Sequence, residues 1–124
     1  MTHGDNRSES LLSGDAAQRR QAIAGLAAQG DQQAASVLTD ALLHSYWPVC
    51  DELADAFAQM GTDAACQGLM RALKGRRRHI RSAAVKALAR LGGDGAREAG
   101  AALPDDPSYE VRQDVEDALR QIGG

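Results

Sequence analysis

The sequence predicts an all-α solenoid, and three observations carry that prediction. Glycines at Gly30, Gly61, Gly92 and Gly123 stand 31 residues apart without an insertion. Each closes a segment with small or apolar residues at helical spacing: Ala22, Gly25 and Leu26; Leu53, Ala56, Phe57 and Met60; Ala84, Ala87, Leu88 and Leu91; Val115, Ala118, Leu119 and Ile122. The third is composition, with twenty-four alanines against one Phe, one Trp and two Tyr. A fixed period in this range marks a repeat array in which no unit buries its face alone. A core so poor in aromatics packs by close helix approach, near the short end of the roughly 8–10 Å interaxial range. Alanine is also the best helix former, so propensity and packing agree.

At 124 residues the chain has the size of one domain. Residues 1–10 read as a disordered tail, with a helical stub over 8–13, and residues 11–124 as the repeat domain. Asp15 precedes Gln18 by three, a capping-box start for an inner helix over about 15–29. Asp31 caps the outer helix that follows, about 31–44. Pro48 suits the first helical position of the second inner helix, about 48–60. Asp63 and Asp94 are placed as caps of the outer helices over about 62–74 and 94–103, and Pro104 with Pro107 closes the latter. The remaining inner helices cover about 79–91 and 110–122. Each repeat glycine sits where a helix C-terminus favours a left-handed residue. About seven helices in antiparallel pairs result, an open array because the repeat is strict.

Two segments carry a family resemblance. Asp106-Pro107-Ser108-Tyr109-Glu110-Val111-Arg112, with Val115, Ala118-Leu119 and Ile122-Gly123, resembles the HEAT repeat, in the compact variant of phycobilisome lyases. The stretch from His79-Ile80-Arg81 to Ala87-Leu88-Ala89-Arg90-Leu91-Gly92 is similar to the same pattern. The earlier repeats depart from it: Cys50 replaces the usual arginine, and the first keeps Arg19 but has Gln18 at an apolar position. The resemblance covers about residues 15–124 and implies a right-handed superhelix that serves as a binding surface. It also implies that Arg81 and Arg112 bond to loop acids of the adjacent repeat, Asp106 being one candidate. By repeat type alone, an accessory role in a bilin lyase-like complex is a further implication.

Register turns the repeat into contacts. Ile23, Ala54 and Val85 are matched in the last repeat by Glu116, and Ala27, Ala58 and Ala89 by Arg120. Both positions become charged only where no further repeat follows, as a terminal cap requires. The C-terminus is therefore expected to be a natural end, with Glu116 and Arg120 forming an i,i+4 pair. Ala24, Asp55, Lys86 and Asp117 are likewise equivalent, so Asp55–Lys86–Asp117 is expected to form a cross-repeat charge ladder, flanked by Asp51, Glu52 and Asp114.

The charge distribution offers a candidate site. No acidic residue lies between Asp63 and Asp94, whereas Arg71, Lys74, Arg76, Arg77, Arg78, Arg81, Lys86 and Arg90 do. Arginines 76–78 with His79 place guanidinium groups near the free N–H donors of a helix start, suited to a carboxylate or phosphate. A solvated basic loop explains the same residues. Trp47, Arg78 and Tyr109 share one register position, so Arg78 is expected between two aromatics, in a cation–π contact. Alternatively, Tyr46 and Trp47 form an exposed aromatic patch beside the arginines. Tryptophan, tyrosine and arginine are the types enriched at binding hot spots, although ordinary loop packing would also use them.

The expected role is a non-enzymatic adaptor that binds an acidic or amphipathic protein segment, without a cofactor. Nucleic acid or phosphate on Arg76, Arg77, Arg78, His79, Arg81 and Arg90 is the second candidate, weakened by a net charge of −3. Only His3, His44 and His79 are present, and no phosphate loop, Cys–His dyad signature or zinc spacing appears. Asp51, Glu52 and Asp55 could pair as carboxylates, but a charged solvent face looks the same. Cys50 and Cys66 lack metal-ligand spacing and read as buried small hydrophobes of a cytoplasmic protein. No stretch has the apolar length of a membrane span.

Overall fold

A computed structural model describes residues 11–12 and 15–123. Among the described residues the protein is helical throughout, with no strand. Seven helices follow in order: α1 Ala16–Gln29, α2 Gln32–Leu43, α3 Val49–Met60, α4 Asp63–Ala72, α5 Arg78–Leu91, α6 Gly93–Ala102 and α7 Tyr109–Gly123. Leu11 and Leu12 are also helical, and Leu11 is buried in the core. The expected tail over 1–10 and the rest of the expected stub lie outside the described residues.

The inner helices stack in sequence, α1 on α3, α3 on α5 and α5 on α7, while α2 packs on α4 in the outer layer. Between the layers lie Leu38, Leu42, Leu53, Phe57, Leu69, Leu73, Ile80 and Leu88, all fully buried. Each such side chain contributes roughly 1.5–3 kcal/mol of transfer free energy. Alanines fill the remaining contacts, including Ala34, Ala41, Ala65, Ala84 and Ala96. At Gly68 even a methyl group would collide with the Thr39 hydroxyl and the Phe57 ring. That close approach seats α4 on its neighbours.

Local chemistry explains most boundaries. Asp15 accepts from the Gln18 N–H at 2.8 Å while the Gln18 side chain accepts from the Asp15 N–H, the reciprocal cap expected from sequence. Asp31 caps α2 through Ala34. Gly30 and Gly61 both adopt the left-handed conformation, at φ 67° and 63°. Four local expectations need correction. Thr62, not Asp63, caps α4 with its hydroxyl, and Asp63 instead enters the first turn, where its charge meets the helix dipole. Pro48 precedes α3 rather than opening it. Gly92, at φ 135° and ψ 178°, adopts a positive-φ conformation outside the left-handed helical region and open essentially to glycine alone, and leads straight into α6, so Asp94 lies inside that helix and pairs with Arg97. Gly123 remains part of α7.

The altered link at Gly92 has a packing counterpart. In place of the α2-on-α4 contact of the outer layer, α6 packs mainly on α5 and α7. A β-carbon at Gly95 would stand 2.5 Å from the Leu88 carbonyl oxygen, so only glycine permits this seating on α5.

Candidate functional site

The start of α7, the first two turns of α5 and the loop before each line a concave edge of the inner layer. The repeat register puts corresponding side chains of successive helices there, and backbone chemistry decides which are free to act. Arg81 is fully engaged. Its Nε and Nη2 donate to both Asp106 carboxylate oxygens at 2.7 and 3.0 Å, and its Nη1 donates to the carbonyls of Gly75 and Arg76. Arg112 donates to the Asp106 carbonyl at 2.6 Å. The link from Arg81 to a loop acid of the next repeat thus has the form that the resemblance implies. Burial alone would push the nearly enclosed Asp106 carboxyl up. The bond from Arg81, the Ser108 N–H and the nearby charge of Arg112 outweigh burial and hold it below the usual carboxylate range.

One repeat earlier, Cys50 occupies the place of Arg81, and its thiol donates to the His79 carbonyl at 3.7 Å. The carbonyls matching Gly75 and Arg76 are those of His44 and Ser45. Arg77 serves them, donating at 3.4 and 2.7 Å. Arg77, though exposed, is therefore bound to backbone. Its role was hidden in the sequence, although the missing arginine at Cys50 signalled that two carbonyls needed another donor.

Arg78 does not lie between the aromatics. It pairs with Glu110 at 3.3 Å, and Arg112, three residues along the same helix, covers the Tyr109 ring at 5.9 Å. A carboxylate within reach outbids a ring face for a guanidinium exposed to water. The Asp55–Lys86–Asp117 ladder is also corrected. Asp55 is bonded by Arg90 at 2.5 Å, and Asp117 by Arg120 at 2.8 Å and Gln113 at 3.2 Å. Lys86 has no ion pair among the described residues. Helical side chains lean toward the N-terminus, so Arg90, one turn beyond Lys86, covers the level where the lysine was expected. Arg120 chooses Asp117, not Glu116. Glu116 and Arg120 are exposed, whereas Ile23, Ala54 and Val85 are buried.

Two adjoining hollows among the described residues open on this edge. One, of about 730 Å³, lies among Arg76, Arg77, Arg78, Arg81 and Pro107. The other, of about 510 Å³, crosses three inner helices, with Trp47 and Asp51 on α3 and the loop before it, Ser82 and Lys86 on α5, and Gln113 and Asp114 on α7. His79, Tyr109 and Glu110 line both, so the hollows meet there. Trp47 and Tyr109 are 63% and 69% exposed, whereas Tyr46 lines neither hollow and donates from its hydroxyl to the Leu12 carbonyl. Ser82 and Asp114 share a short hydrogen bond across the floor. Ser82 and Gln113 were not candidates from sequence. The signal was the polar series Asp51, Ser82 and Gln113, four residues after Trp47, Arg78 and Tyr109.

A family model for HEAT repeats matches residues 8–88. The chain belongs to the HEAT repeat family. The match ends inside α5, with α6 and α7 beyond the matched span, and it does not single out the phycobilisome-lyase variant. No curated protein matches the chain significantly. HEAT repeats commonly act as protein-interaction scaffolds and are typically non-catalytic. Burial raises the thiol pKa of both Cys50 and Cys66, which keeps them protonated and weakly nucleophilic. No helix of the described residues is long and apolar enough to cross a membrane.

Proposed function

We propose that this HEAT array is a non-enzymatic adaptor that holds a segment of another protein in the groove between Trp47 and Tyr109. One observation supports the reading above others: two large aromatics stand exposed at one hollow that crosses three stacked helices. Isolated exposed apolar groups are ordinary, but aromatics converging on one hollow are what binding hot spots use. Arg76 and Arg78 add a complement for acidic side chains. The alternative, nucleic acid on the basic loop, has fewer free cations than the sequence suggests. Arg77 and Arg81 are committed to backbone and Asp106.

Affinity capture from the source cell tests the proposal. The Trp47→Ala, Tyr109→Ala double variant is expected to lose the partner while keeping the helical circular dichroism and melting temperature of the parent. Capture unchanged by that variant removes the groove assignment. Binding that instead tracks added DNA or RNA and falls steeply with salt would favour the alternative.

A further inference from the structure

The two hollows carry opposite charge, and this specifies the partner beyond a generic acidic segment. The loop-side hollow holds Arg76, Arg77, Arg78 and Arg81 against Glu110. The deeper one holds Asp51, Glu110 and Asp114 against Lys86. Arg76 and Asp51, one at each end, have no side-chain bond or ion pair among the described residues. Arg78 pairs with Glu110 and Lys86 offsets one of the two remaining carboxylates, so the deeper hollow keeps a net negative charge. Along α5, Arg78 and Ser82 are one turn apart, about 6 Å, the distance spanned by roughly two residues of extended chain.

Resting on the adaptor reading, we infer that the groove takes an extended protein segment of mixed charge. Its acidic side chains meet Arg76 and Arg78, and a lysine or arginine two to three positions away meets Asp51 and Asp114, its stem lying against Trp47 and Tyr109. In the free protein Glu110 occupies Arg78, and an arriving carboxylate exchanges with it. A uniformly acidic ligand would satisfy the loop side and be repelled deeper in the groove. A uniformly basic one meets the reverse penalty, and such opposition is what sets specificity.

Trp47 is the chain's only tryptophan and lines the negative hollow, so its fluorescence reports occupancy. The full chain is titrated at low salt with three synthetic peptides of about ten residues. One carries a Glu pair and a Lys pair separated by two residues, one only Glu at those positions, and one only Lys. The mixed peptide is expected to bind about fivefold tighter than either control, on the scale of one or two exposed charge pairs. Arg76→Ala should remove its advantage over the Lys peptide, and Asp51→Asn its advantage over the Glu peptide. Equal or tighter binding of the Glu peptide overturns the inference, as does a preference that neither variant alters. If no peptide changes the fluorescence while partner capture still requires Trp47 and Tyr109, mixed-charge recognition fails and the groove reading stands. Capture independent of those aromatics sinks the groove reading itself.

Discussion

The junction between α3 and α5 and the junction between α5 and α7 solve one problem with different residues. At the later junction Arg81 reaches back to the carbonyls of Gly75 and Arg76 and forward to the buried Asp106 carboxylate. At the earlier one the equivalent position is Cys50, and the matching carbonyls of His44 and Ser45 are served by Arg77 from the following loop. Loop carbonyls beyond the end of an outer helix need a donor. Which chain segment supplies it is open. The cost of the exchange is functional as well as structural, because an arginine spent on backbone is one fewer for a ligand.

The sharpest way to break this comparison is Arg81→Ala, which strands the Asp106 carboxylate in a nearly enclosed site. A loss of about 3 kcal/mol in urea unfolding is expected, and a loss below about 1 kcal/mol would mean that water reaches Asp106. Acid should then act selectively on the same junction. Because the folded-state pKa of Asp106 lies below its ordinary value, its stabilisation is complete above that ordinary value and disappears as pH falls through the lowered one. The urea midpoint of the parent should therefore fall more steeply than that of Asp106→Asn below about pH 4. Parallel curves would remove Asp106 as the cause.

At the earlier junction Arg77→Ala should cost about 1–2 kcal/mol, since the carbonyls of His44 and of the buried Ser45 lose a charged donor. Adding Cys50→Arg to that variant should recover part of the loss in the same assay. Further destabilisation would show that the two junctions are not interchangeable. The smallest effect belongs to Lys86→Ala, expected within about 0.5 kcal/mol because the lysine is exposed and unpaired. A larger loss would point to a ladder after all.

How far the sequence reached can be judged from these same residues. Helix positions were legible because periodicity, capping boxes and glycine stops are local, and Asp15, Asp31, Gly30 and Gly61 act as their chemistry requires. Inner-face burial was legible for the same reason, since a 31-residue translation carries Ile23 onto Ala54 and Val85. For the candidate residues the sequence reached less far: Trp47 and Tyr109 line one hollow and Arg78 and Tyr109 the adjoining one, but the expected stacking of Arg78 between two aromatics is replaced by its pair with Glu110.

The amino-acid pattern by itself determined the seven helices from Ala16 to Gly123 and their order of stacking, because hydrogen bonding and apolar spacing within one or two turns suffice for that. Tertiary structure alone decided which arginine meets which acid, that Arg77 replaces the donor missing at Cys50, and that opposite charges divide the groove. Long side chains sweep several ångströms and lean along their helices, so their partners depend on helix stagger and competing acceptors. Neither of those is written in any single repeat.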